Sequence, residues 1–303
     1  MATPLRRALR AYPELFAVLL AAAFGLGVQA PLRWLVARHG IDVLLAALVF
    51  TIAVTITVGE IREAGQFRRR LLLCLVTGVT LLPAMAWAVA HLVSAGPLRR
   101  GMLTVGLAPC EIASVATTAM AGGQAAAAAV ILIGSTLLSV VVAGPILILE
   151  AGHASIKPLH LIANLAVVVL LPLAAGVTLR ALYHVGAGRE RVTSSVTTFT
   201  LAGLVALIAA EVHLSTSYIG VLGASIVFVL ASAGVGRLLG LQAGDSLVTP
   251  IVLTTSMRDF AVAAGIATSA FGPTAAAPLG LYGIVVLVWG TVVAGTLRRQ
   301  HSA

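Results

Sequence analysis

The chain has 303 residues, of which 60% are hydrophobic, only 10% are charged and 5% are aromatic. Soluble domains are about half apolar and a quarter charged, so this composition excludes an ordinary soluble fold and indicates an integral membrane protein. The formal net charge of +9 does not indicate nucleic-acid binding, because the basic residues form short clusters between apolar runs.

Ten apolar runs of about the length needed to cross a bilayer follow one another along the chain. They cover residues 13–30, 41–59, 71–93, 101–121, 124–149, 159–180, 192–212, 217–239, 247–270 and 274–297. Helices are expected, because open strands would leave backbone groups without hydrogen bonds in lipid. In the sixth run, Asn164 and Pro172 indicate either an irregular helix or a structural hydrogen bond. The sequence predicts an all-α membrane protein with ten transmembrane helices.

The basic residues predict the orientation of these helices in the cell membrane. Arginines are more frequent in the loops on one side (Arg6, Arg7, Arg10, Arg62, Arg68, Arg69, Arg70, Arg180, Arg189, Arg191, Arg237, Arg298 and Arg299) than on the other (Arg33, Arg38, Arg99, Arg100 and Lys157). Because cytoplasmic loops carry the excess of Lys and Arg, both termini are expected in the cytoplasm.

The ten runs divide into two sets of five, residues 1–150 and 151–303, within one membrane domain. An odd number per half makes the second half enter the membrane from the opposite side, which is a common plan in transporters. The junctions AMAGGQAAAAAVILIG and TSAFGPTAAAPLGLYG occupy corresponding places in the two halves and share a glycine junction followed by alanines. We therefore predict two inverted five-helix repeats.

Charged residues fall near the middle of two of these runs. Glu111 lies at the centre of the fourth run, and Arg258 with Asp259 lies close to the centre of the ninth. A charge at the bilayer centre costs about 2.5 to 3.5 kcal/mol on insertion scales. We therefore expect the two runs to meet inside the protein, with Arg258 compensated by Glu111, Asp259 or both.

The same two runs contain features that interrupt helices. Pro109 removes a backbone donor, and the hydroxyl run from Thr254 to Ser256 competes for the backbone bonds of the helix. Broken helices 4 and 9, crossing at mid-membrane, would offer free amides and carbonyls to a small ion. Ser114, Thr254 and Thr255 are the expected polar lining of such a substrate site.

Two longer stretches carry a resemblance to a known family. APCEIASVATTAMAGGQAAAAAVILIGSTLLSVVVAGPIL and TTSMRDFAVAAGIATSAFGPTAAAPLGLYGIVVLVWG are similar to helices 4–5 and 9–10 of the bile acid:sodium symporter family. Its fourth helix carries Pro-Gly-Gly-x-x-Ser-Asn, which Pro109 and Ser114 match, and its ninth carries Glu-x-Gly-x-Gln-Asn. The resemblance implies inverted repeats, a core bundle with a panel, and substrate binding where the broken helices cross.

The chain departs from this family at its sodium sites. Cys110, Glu111 and Val115 replace signature residues of the fourth helix; Ala128 and Leu132 replace hydroxyl residues of the fifth; Thr254, Arg258 and Asp259 replace signature residues of the ninth. Sodium needs several hard oxygen ligands, and a fixed guanidinium repels it. Coupling to sodium in the family's usual manner is therefore not expected.

Two schemes could replace sodium. In the first, Glu111 or Asp259 takes up a proton while Arg258 holds an anionic substrate. In the second, Arg258 is permanently paired with a carboxylate, and the site moves a neutral or weakly charged solute without a coupling ion. The first scheme is slightly favoured.

The predicted function is secondary transport of a small organic anion by alternating access. An enzyme is not expected, because the chain has no GxSxG, HExxH or GxxxxGK[ST] motif and no metal-binding Cys/His spacing. No metal site or cofactor is predicted, and the expected partners are the solute and the bilayer. Two alternatives stay open: an arsenite-type metalloid exporter, because its helix 4 also carries a cysteine like Cys110, and a channel or facilitator.

Overall fold

The helical architecture follows the apolar runs of the sequence. The computed structural model describes residues 13–54, 59, 68–94, 96–151, 158–182, 187–212 and 215–301. The helices are α1 (Pro13–Gly27), α2 (Gln29–Val36), α3 (Gly40–Ala53), α4 (Arg68–Ala90), α5 (Pro97–Leu107), α6 (Ala113–Met120), α7 (Ala125–Ala151), α8 (Pro158–Leu165), α9 (Leu171–Leu182), α10 (Ala187–Ala210), α11 (Ser217–Ala243), α12 (Asp245–Ser256), α13 (Phe260–Phe271) and α14 (Ala277–His301). Every regular element in those ranges is helical, which confirms the all-α prediction.

Several helices have the length and composition of membrane spans. In the described residues, five stretches qualify alone: Arg69–Ala90, Ala125–Ile148, Ile162–Leu182, Ser217–Ala243 and Pro273–Ala294. The bent pair α1 and α2 adds a sixth if it counts as one span. Shorter apolar helices, including α3 and α13, accompany them. These helices agree with a multi-pass membrane protein, whereas the number of ten spans stays a prediction. The predicted orientation of the helices in the membrane rests partly on Arg6, Arg7 and Arg10, which lie outside the described residues.

The first predicted helix, 13–30, differs from the structure. Here α1 ends at Gly27, and α2 leaves it at an angle of 100°. The polar side chains of α2 explain the bend: Arg33 Nε donates to Ala210 O at 2.8 Å, and Gln29 Nε2 donates to Val212 O at 3.0 Å. Both acceptors lie at the C-terminal end of α10, where carbonyls have no partner within the helix.

The sixth predicted helix is irregular, as Asn164 and Pro172 indicated. A π-helical turn, Ala166–Leu170, separates α8 from α9. Asn164, just before this turn, donates from Nδ2 to Ser269 Oγ on α13 at 2.8 Å. The irregular turn therefore lies next to a polar contact with another helix.

The helices pack as two groups. Helices α1–α3, α9 and α10 contact one another and form the first group, and α4–α7 with α11–α14 form the second, whereas α8 packs against α7 and α13 of the second group. Glycines allow close approach inside the second group: a Cβ at Gly106 of α5 would lie 2.6 Å from Leu82 O and 2.7 Å from Pro83 Cα of α4. Gly106 therefore allows α5 to pack closely on α4.

This packing predicts that Gly106→Ala destabilises the protein by about 1 to 3 kcal/mol, because the new methyl group would overlap backbone atoms of α4. Gly223→Ala on α11 is the matched control, since its Cβ would meet no atom within 4 Å. Thermal unfolding of both variants in detergent micelles measures the difference. Equal melting temperatures for the two variants would contradict the close packing of α4 on α5.

Candidate functional site

Two helix breaks lie against each other in the second helix group. One separates α5 from α6 at residues 108–112, and the other separates α12 from α13 at residues 257–259. Glu111 N donates to Met257 O at 2.7 Å, and Asp259 N donates to Pro109 O at 2.9 Å. These reciprocal bonds form an antiparallel bridge, so each break supplies hydrogen-bond partners to the other. We call this pairing the crossing.

Helix α7 supports the first break with two hydroxyl groups. Ser135 Oγ accepts from Cys110 N at 3.1 Å, and Ser139 Oγ donates to Leu107 O. Sequence reasoning missed both serines, although they lie in the polar STLLS stretch of an otherwise apolar run. Both are buried, so their hydroxyls replace the backbone bonds that α5 loses at its end.

The two predicted acids lie at helix N-termini. Asp259 caps α13, where Oδ1 accepts from Ala261 N at 2.8 Å and Val262 N at 2.9 Å. The carboxyl group of Glu111 faces backbone amides at the start of both α6 and α13. Helix N-termini carry partial positive charge, so each carboxylate has a favourable location without a basic partner.

Arg258 lies in a different electrostatic setting. The side chain is only 4% exposed, and its Nη2 donates to Ala108 O, directly after the C-terminus of α5. Its backbone N donates to Tyr282 Oη at 3.3 Å. The Nε atom is buried and has no hydrogen-bond partner.

The expected ion pair between Arg258 and the acids is not present. Among the described side chains, no oxygen of Glu111 or Asp259 lies within 4 Å of a nitrogen of Arg258. The reason is the direction of the half-helices: the acids lie at helix N-termini, and the guanidinium lies at a helix C-terminus. The three charges share one region but are stabilised mainly by backbone dipoles.

A small cavity lies beside the guanidinium. Its volume is about 10 Å³, and its lining includes Arg258, Thr254, Thr255 and Ser135, together with apolar residues of α4. This space accommodates about one water molecule. Gly78 of α4 lies next to the guanidinium, since a Cβ there would be in van der Waals contact with Arg258 Nη1 at 3.8 Å. No pattern in the sequence indicated this contact.

The predicted polar lining is only partly available for binding. Ser114 is fully buried, and its Oγ has no partner. Thr254 Oγ1 donates to Pro250 O of its own helix at 2.7 Å, and Thr255 lines the small cavity. One oxygen of Glu111, the hydroxyl of Ser114 and Nε of Arg258 are therefore buried polar atoms without partners at the crossing. Such atoms are rare in folded proteins.

Cys110 lies at the crossing but does not form a metal cluster. Its side chain is buried, and its backbone pairs with that of Arg258. Cys74 of α4 lines the small cavity beside the guanidinium of Arg258. Within the described part of the chain, no group of three or more His, Cys, Asp or Glu side chains could hold a metal ion.

Comparison with known proteins identifies the family. The sequence pattern of the Sodium Bile acid symporter family matches residues 42–231, which is more than half of the chain. The chain belongs to the sodium bile acid symporter family. The resemblance of the two quoted stretches to this family is thereby confirmed.

A curated protein of Bacillus subtilis (strain 168), described as the uncharacterized sodium-dependent transporter YocS, is similar to this member of the family. The two are 24% identical over 293 residues, which cover 91% of this chain and 88% of that protein. Family membership and the apolar helices together make the chain a multi-pass membrane transporter. Its surroundings are therefore membrane lipids, and its ligand is a small-molecule substrate.

The capping bonds of Asp259 generate a prediction. Asp259→Ala should destabilise the protein by about 1 to 2 kcal/mol, because two buried amides of α13 lose their acceptor. Asp259→Asn keeps an accepting oxygen and should lose less. Asp245→Ala is the control, since Asp245 is exposed at the start of α12. Chemical or thermal unfolding measures all three, and an Asn variant as unstable as the Ala variant would contradict the capping role.

Proposed function

We propose that this protein is a secondary transporter that moves a small organic anion across the cell membrane by alternating access. In this proposal the chain is not an enzyme, and both termini face the cytoplasm. The observation that carries the proposal is the crossing, where two broken helices bring Arg258, Glu111 and Ser114 together with unpartnered polar atoms. Broken helices that cross in this way are a recurrent substrate site of secondary transporters.

Alternating access requires two halves that move relative to each other, and inverted repeats supply them. We propose that residues 1–150 and 151–303 form ten spans in two such repeats. The partners in the bridge, Cys110 and Arg258, are 148 residues apart. Adding 148 to the bounds of α5, Pro97–Leu107, gives 245–255, against Asp245–Ser256 for α12. The same shift brings α4 onto α11 and α7 onto α14 to within about five residues, which supports the repeat.

An anionic substrate fits the hydrogen-bond donor that has no partner at the crossing. Arg258 uses one side of its guanidinium on Ala108 O and keeps Nε without a partner. A buried guanidinium binds carboxylates strongly, because its N–H groups match the two oxygens in geometry and charge. Thr254, Thr255 and Ser114 complete the proposed site as neutral lining.

Proton coupling through Glu111 is the favoured scheme. Asp259 is engaged in capping α13, whereas one oxygen of Glu111 has no partner. A carboxyl group with an unpartnered buried oxygen can gain a proton without losing a bond in the fold. The absence of an ion pair to Arg258 within the described side chains counts against the second scheme, a guanidinium permanently paired with a carboxylate.

Uptake by proteoliposomes tests the substrate class. We expect uptake from a panel of small organic acids to saturate and to drop at least about tenfold in Arg258→Lys, because lysine lacks the planar fork that binds a carboxylate. Arg237→Lys is the matched control, since Arg237 is exposed on α11. Sodium and proton gradients are imposed separately in the same assay. Saturable uptake of neutral solutes only, or ohmic currents, would contradict an anion carrier.

The role of Glu111 has its own test. Wild-type uptake should increase as the external pH falls, because each cycle takes up a proton. Glu111→Gln is nearly isosteric and cannot change charge, so its uptake should be independent of pH. Measuring initial rates from pH 5 to 8 compares the two proteins over a range in which carboxyl groups in such sites titrate. A Gln variant with the wild-type pH profile would remove Glu111 as the proton carrier.

A further inference from the structure

The C-terminus of α5 is a natural position for a cation. The last carbonyls of a helix carry partial negative charge and have no partner within the helix. After α5 the backbone turns extended at Ala108, with ψ of 151°, so the Ala108 carbonyl leaves the helix direction. In this chain Nη2 of Arg258 donates a hydrogen bond to that carbonyl.

The cavity beside the guanidinium combines a few hydroxyl groups with apolar side chains. Thr254, Thr255 and Ser135 line the adjoining cavity, and Gly78 of α4 leaves space where a larger side chain would contact Nη1. The guanidinium takes up most of this space, because the remaining cavity of about 10 Å³ accommodates about one water molecule.

A sodium ion, which the family name implies, does not fit beside this group. It would lie next to a buried positive charge, in a space of one water molecule. The hydroxyl hydrogens of Thr254 and Ser135 already serve their own helices, at Pro250 O and Leu132 O. The described side chains that line this space include no carboxylate, so a second cation beside Arg258 would have no negative charge to compensate it.

We infer that the guanidinium of Arg258 is a tethered cation: it occupies, as part of the chain, a site at the broken helices that would otherwise bind a free monovalent cation. The inference deepens the proposed function, on which it rests for its meaning in transport, because a tethered charge cannot be exchanged across the membrane. It also gives the two acids of the crossing a fixed positive neighbour that needs no sodium.

Removing the side chain should open the site. In Arg258→Ala the carbonyl of Ala108 loses its donor, and the volume of the guanidinium becomes free. The probe is radioactive sodium, measured by equilibrium binding to purified protein in detergent, with choline as the replacement salt. We expect about one bound sodium per chain in Arg258→Ala and none above background in the wild type. Sodium should also raise the melting temperature of Arg258→Ala by about 3 °C or more over choline.

Two controls separate the site from general charge effects. Arg258→Lys keeps a tethered cation and should bind no sodium, and Arg237→Ala removes an exposed arginine of α11 and should behave as the wild type. Saturable sodium binding to the wild type would overturn the inference, and this measurement stays decisive even if the Arg258 variants do not fold. A folded Arg258→Ala protein without sodium binding would overturn it as well. Both results are measured without a transport assay. A failure of this inference can therefore be distinguished from a failure of the organic-anion proposal.

Discussion

The structure depends on the reciprocal backbone pairing at the crossing. Two helices that stop inside an apolar protein leave amides and carbonyls without partners, and each such group costs several kcal/mol in lipid. The bonds from Glu111 N to Met257 O and from Asp259 N to Pro109 O satisfy both breaks at once. Hydroxyl groups of α7 satisfy the neighbouring atoms at Leu107 and Cys110. Neither break could persist without the other, which explains why irregular backbone is tolerated here.

Once the breaks exist, they determine where charge can lie. Each break creates one helix C-terminus and one N-terminus, so negative groups are stabilised at the N-termini and positive groups at the C-termini. Asp259 and Glu111 lie at helix N-termini, and the side chain of Arg258 lies at the C-terminus of α5. This arrangement keeps three ionisable residues in a small volume without an ion pair among the described side chains. It also leaves donors and acceptors free for a ligand.

Much of this could be read from the sequence, and the limits have physical causes. Composition and run length predicted the helices, and the cost of intramembrane charge predicted that Glu111 and Arg258 come together. The sequence could not show which groups would stabilise each charge. Stabilisation by a helix dipole depends on the exact residue at which the helix begins or ends. The bend after Gly27 was missed, since it depends on the distant carbonyls of α10 that accept from Arg33 and Gln29. Ser135 and Gly78 were missed because small residues occur in apolar helices for many structural reasons, so their presence does not indicate a site.

The π-helical turn between α8 and α9 has a mechanical consequence. Its neighbour Asn164 on α8 donates one exposed hydrogen bond to Ser269 of α13. Such a bond contributes only about 0.5 to 1.5 kcal/mol, and water can replace it when it opens. A π-helical turn of this kind often marks a functional site in a helix, so the turn beside Asn164 is the point at which this span can bend while the regular helices on either side stay intact.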